Sequence, residues 1–148
     1  MTTALLEIVS RSVAETREAG RFLSRLLAPG TLVLLSGPLG AGKTELVRGI
    51  AEGLGADPEV VASPTFALVH EYGAGGGSPL LVHADLYRLL GASPAASSTE
   101  DLGLVEARER GAVVVVEWPE GLAGREDGVE VAISLGDDEA RRIVVRRA

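Results

Sequence analysis

A chain of 148 residues, 46% of them hydrophobic and none cysteine, can bury one real core but offers no disulfide framework or thiolate zinc site. A formal net charge of −7 excludes a chain that grips RNA by bulk charge, because neutralising phosphates requires a basic footprint. No apolar run reaches a membrane span and "MTTALLEIVSRS" lacks the basic start of a signal peptide, so a single cytoplasmic domain over 1–148 is expected.

In chain order, a strand is predicted over about 4–9 and a helix over about 12–27. The unbroken apolar run "TLVLLS" (31–36) reads as a strand buried on both faces of a parallel sheet. A glycine-rich loop follows, then a helix to about 54. In it Leu46, Val47, Ile50, Ala51 and Leu54 recur at helical spacing, and Gly53 and Gly55 stop it. Strands are predicted near 67–72 and over 80–84, joined by the turn "GAGGGSP" as a hairpin tip. "GASPAASSTE" (91–100) reads as a mobile loop before a helix around 100–110. "AVVVVE" (112–117) is a second fully buried strand. "VEVAISL" and "RRIVVRR" flank "GDDEA" and are expected to pair as an antiparallel hairpin. The alternation predicts a three-layer α/β domain with a mostly parallel central sheet and antiparallel edge hairpins. No internal repeat stands out.

The chemistry centres on "SGPLGAGKTELVRG" (36–49), which holds the only lysine; thirteen arginines supply every other cationic side chain. Gly37, Gly42, Lys43 and Thr44 fit the phosphate-loop pattern G-x-x-x-x-G-K-[S/T]. Backbone N–H groups across Leu39, Gly40, Ala41 and Gly42 would cradle an anion at the positive end of the following helix. A compact ammonium on a flexible stem can follow the β- and γ-phosphates, where a guanidinium is wide and rigidly forked. Thr44 would offer its hydroxyl to the Mg²⁺ that accompanies the nucleotide.

Ligands of open parallel sheets sit at the carboxyl ends of the strands. Asp85 in "LLVHADLYR" and Glu117 in "VVVVEWPE" fall there, each suited to hold Mg²⁺ or to orient an attacking water. In "SPTF" (63–66), Thr65 could sense the γ-phosphate or the metal. Trp118 is read as partly buried beside the sheet end, or as a partner or nucleotide contact. His83 and His70 are read as core or hydrogen-bonding residues rather than general bases. The cluster Arg141, Arg142, Arg146 and Arg147 is read as a solvated strand face.

Together "GPLGAGKTELVRG", "SPTFALVHEY", "HADLYRL" and "VEWPE" resemble, in order and spacing, the bacterial TsaE (YjeE) family. The resemblance covers nearly the whole chain. It implies a P-loop ATPase that uses ATP and Mg²⁺ in forming threonylcarbamoyladenosine at adenosine 37 of tRNA. It implies action on the protein partners TsaB and TsaD, with tRNA reached only through that complex. Thr44 and Glu117 would attend the Mg²⁺, and Asp85 and Thr65 would lie in the catalytic or switch region beside Lys43. Ser12, Val13 and Arg141 would flank the nucleotide. Pro38 departs from the family's usual acidic residue and Ala84 from its usual aromatic. Two other readings of the phosphate loop stand beside this one: a small-molecule kinase, and a binding module in which ATP only fixes a docking surface.

Overall fold

Apolar residues run unbroken where strands are buried on both faces and alternate where one face meets water, and the elements follow that pattern. The computed structural model describes residues 4–57, 69–73, 79–87, 103–122 and 128–147. Its strands are β1 (Ala4–Ser10), β2 (Leu32–Ser36), β3 (Val69–Tyr72), β4 (Leu81–Asp85), β5 (Val113–Glu117), β6 (Val129–Leu135) and β7 (Arg141–Arg147). Its helices are α1 (Val13–Ser24), α2 (Lys43–Leu54) and α3 (Leu104–Glu109). Thr65, the "SPTF" turn, most of the glycine-rich turn and the 91–100 segment lie outside the described residues.

All seven strands join one sheet in the order β1-β7-β6-β2-β5-β4-β3. The four central strands are parallel, and β3, β7 and β1 add antiparallel edges, so both expected hairpins form. Side chains alternate across a strand, which splits the core in two. Val33, Leu35, Leu81, Val113 and Val115 pack beneath α1 and α2, with Leu23, Leu46 and Ile50 above them. Leu32, Leu34, Val82, Val114 and Val116 pack on the other face against Leu104 and Ala107 of α3. The three layers are those expected.

α1 is shorter than its periodicity suggests. After Ser24 the chain tightens into i→i−3 bonds, Leu26 N–H to Leu23 O at 2.8 Å and Leu27 N–H to Ser24 O at 3.3 Å, before Pro29. Its start is capped by Ser12, whose Oγ accepts from Glu15 N–H at 3.0 Å. α1 and α2 touch backbone to backbone through glycines. A Cβ on Gly49 would lie 2.0 Å from Arg17 O, and one on Gly20 would lie 2.3 Å from Leu46 O. Arg17 also bonds Glu45 across the pair, Nη2 to Oε2 at 3.1 Å. This contact fixes the direction of α2 and of the loop that feeds it.

Among the described residues, no helix is long and apolar enough to cross a membrane.

Candidate functional site

The loop between β2 and α2 leaves the carboxyl end of the central strand, and Gly42 turns it into the helix with φ of +106°, a conformation that favours glycine. Ala41 N–H bonds Pro38 O at 3.2 Å, and Ala41 is fully buried. Leu39 stands at the loop's tip, 68% exposed. Lys43 and Thr44 open the first turn of α2, where the helix presents its positive end.

Lys43 is buried, 6% exposed, which is unusual for a lysine. Its Nζ donates to Gly37 O at 2.5 Å and lies 3.7 Å from the centre of the Trp118 ring, a cation–π contact. Burial draws its pKa below the ordinary value, and the nearby carboxylates of Glu117, Asp85 and Glu120 pull it back up. The ammonium is thus held at the loop by weak neutral partners, next to a set of anions.

Two of those anions, Asp85 and Glu117, come from adjacent strands. β4 and β5 run parallel with Asp85 opposite Glu117 in the register, so both carboxylates end their strands side by side. They share the sheet face of Leu81, Val113 and Val115, the face under α2. Glu117 is 3% exposed and bonds Nε2 of His83, itself fully buried in β4. Asp85 is less buried, and its Oδ1 accepts from Tyr87 N–H at 3.0 Å. Trp118 follows in the left-handed region, φ 58° and ψ 57°, rare for a large aromatic residue. Its N–H bonds Leu35 O at 3.3 Å and its ring packs on Tyr87, centroids 5.0 Å apart. That backbone turn folds the indole back over Lys43.

A second group gathers on the other side of the loop. Ser12, Val13, Gly40, Ala41, Gly42 and Arg141 line a cavity of about 300 Å³, with Arg11, Thr16, Glu45 and Glu139 completing its wall. Arg141 spans it, Nε donating to Ala41 O at 3.0 Å and Nη1 to Glu139 O at 2.7 Å. Arg141 therefore leaves the solvated face expected of the basic cluster, whereas Arg142 stays there and pairs with Glu7. Glu45 is held charged although burial opposes it, because bonds to Arg48 and Arg17 keep its pKa low.

Of the residues singled out in the sequence, Lys43, Asp85 and Glu117 come together, and Val13, Gly40, Ala41, Gly42 and Arg141 form the adjoining cavity. Leu39 is absent from the cavity wall. Two contacts escaped sequence reading: Trp118 over Lys43, and His83 on Glu117. His83 could have been noticed, since it sits two residues before Asp85 and hence on the same strand face.

The donor set suits Mg²⁺. A threonine hydroxyl and carboxylates are hard oxygen ligands, the kind this cation takes, although the described residues hold no cluster of three or more His, Cys, Asp or Glu side chains. A cation that keeps several waters and takes further ligands from phosphates needs no more.

Comparison with known proteins bears on the family. Residues 10–144 match the family described as Threonylcarbamoyl adenosine biosynthesis protein TsaE. The tRNA threonylcarbamoyladenosine biosynthesis protein TsaE of Streptomyces coelicolor is 45% identical over 135 residues, covering 87% of this chain and 88% of its own. The protein of the same name from Treponema pallidum is 40% identical over 133 residues, covering 88% and 90%. The crystal structure of Bacillus subtilis YdiB superposes with a TM-score of 0.72 at 29% identity, covering 99% of this chain and 87% of that one. With the family match spanning almost all of it and the P-loop architecture in place around Lys43, the chain belongs to the TsaE family.

Proposed function

We propose that this chain binds ATP with Mg²⁺ and hydrolyses it slowly as a component of tRNA threonylcarbamoyladenosine biosynthesis, acting on a TsaB–TsaD complex. The observation that carries the reading is the meeting of Lys43 with two strand-end carboxylates in register at the carboxyl edge of the parallel sheet. The names of the relatives support the pathway.

In this reading Lys43 leaves Gly37 O and the Trp118 ring for the β- and γ-phosphates, exchanging neutral partners for charged ones. The loop from Leu39 to Gly42 cradles the phosphates, and the cavity bounded by Val13 and Arg141 takes the nucleoside end. Thr44 and Glu117 would hold the Mg²⁺, which neutralises phosphate charge when bound. Asp85, the more accessible carboxylate, orients the attacking water. Water adds to the γ-phosphorus, the bond to the β-phosphate oxygen breaks, and ADP and phosphate leave. Thr65 reports the γ-phosphate to the surface that the partners meet.

The test compares ATP turnover by the chain alone, with small-molecule acceptors, and with TsaB–TsaD. Slow turnover alone and faster turnover with the complex is the expected result. Phosphoryl transfer to a small acceptor would instead establish a kinase. Turnover unaltered by the complex would leave an independent hydrolase, and partner binding without turnover a docking module.

The two carboxylates should separate. Glu117→Ala is expected to weaken nucleotide binding only when Mg²⁺ is present, whereas Asp85→Ala should lower turnover by about 100-fold with affinity nearly intact. Affinities by calorimetry with and without Mg²⁺ check this. Equal Mg²⁺ dependence in wild type and Glu117→Ala counts against the assignment.

A further inference from the structure

Among the described residues, His83 is the one fully buried titratable side chain near the site to which the reading above gives no task. It sits in the middle of β4 with 0% exposure, paired in register with Val115. Its neighbours Leu81, Val82 and Ala84 show what this strand needs for packing alone, namely small or medium apolar side chains. An imidazole is costly here. Among the described residues its buried Nδ1 has no hydrogen-bond partner. The other nitrogen, Nε2, meets Oε2 of Glu117.

The strand geometry explains how. His83 and Asp85 lie on one face of β4, as Val115 and Glu117 do on β5, so the imidazole reaches diagonally to the next carboxylate along. A carboxylate only accepts, so Nε2 carries the proton of this bond. The bond commits one oxygen of Glu117 and removes its freedom to rotate.

We propose that His83 is a positioning residue, holding Glu117 through Nε2–H···Oε2 so that the carboxylate is pre-set for the Mg²⁺ of the bound nucleotide. The inference rests on the assignment of Glu117 as a metal ligand. Groups that orient a metal ligand matter in a characteristic way, by changing metal affinity without touching the metal.

The test uses the full chain and adenylyl imidodiphosphate, with binding measured by calorimetry with and without Mg²⁺. His83→Phe keeps the ring volume and removes the donor. It should reduce the Mg²⁺ enhancement of affinity by about 10-fold and leave Mg²⁺-free affinity unchanged, while His83→Gln, which retains an N–H donor, should recover most of the loss. Wild-type Mg²⁺ dependence in His83→Phe overturns the inference. So does an affinity loss that is equal with and without Mg²⁺, the mark of a merely structural role.

Glu117→Ala separates the two levels of the argument. If it removes the Mg²⁺ enhancement and His83→Phe does not, only the positioning role falls. If the wild type shows no enhancement, the metal assignment falls too. Nitrogen NMR of the wild-type imidazole supplies a check that needs no variant: a proton on Nε2 is expected, and an unprotonated Nε2 overturns the proposal.

Discussion

Lys43→Ala is expected to lower ATP affinity by about 100-fold or more, the loss of two charge-assisted bonds to phosphate. The fold should survive. Burial lowers the pKa of Lys43, so below that lowered value its charge opposes folding, and removing it forfeits little at neutral pH. The melting temperature should stay within about 4 °C of wild type, the shift that ~1 kcal/mol produces in a domain of this size. Lys43→Arg should fail as well. The ammonium sits between Gly37 O and the Trp118 ring, and a guanidinium is wider and rigidly forked, so it cannot follow the phosphates from the loop as a compact ammonium does. Calorimetry reads the affinity and circular dichroism the melting. ATP affinity at the wild-type level in either variant would refute the phosphate assignment.

Gly49→Ala is expected to destabilise the protein by about 3 kcal/mol or more, although alanine normally stabilises a helix interior by ~1 kcal/mol relative to glycine. The sign is set by the 2.0 Å between the added Cβ and Arg17 O, because the obstacle is backbone and cannot rotate aside. α1 and α2 must part, and α2 carries Lys43 and Thr44 in its first turn. Nucleotide affinity should therefore fall together with stability. Gly103→Ala is the control: its φ of +76° is strained for alanine but among the described residues the Cβ meets nothing within 4 Å, so only about 1 kcal/mol should be lost. Urea denaturation of the two variants measures both. Equal stability in Gly49→Ala and wild type would show that the helices are not packed at this distance.

The sequence by itself determined what local chemistry dictates. The phosphate loop was legible because its residues act together across eight consecutive positions. β2 and β5 were legible because a strand covered on both faces must be apolar throughout, and their ends then located Glu117. The hairpin of β6 and β7 was legible from its turn and alternation, but its insertion beside β2 was not, since the parallel pairing of Val33 with Val129 spans most of the chain.

Tertiary structure alone decided the contacts between distant residues. Trp118 reaches Lys43 because its backbone turns left-handed at the strand end. Arg141 leaves an otherwise solvated row because the turn at Asp137–Glu139 aims it at Ala41. Gly49 looks like a flaw in a helix until Gly20 is seen against it. His83 reads as one more core residue until β4 and β5 align in register and bring it to Glu117. Periodicity records which face a side chain takes. Which residue waits on the other side depends on the register between strands and the approach of helices, and these are settled only when the whole core packs.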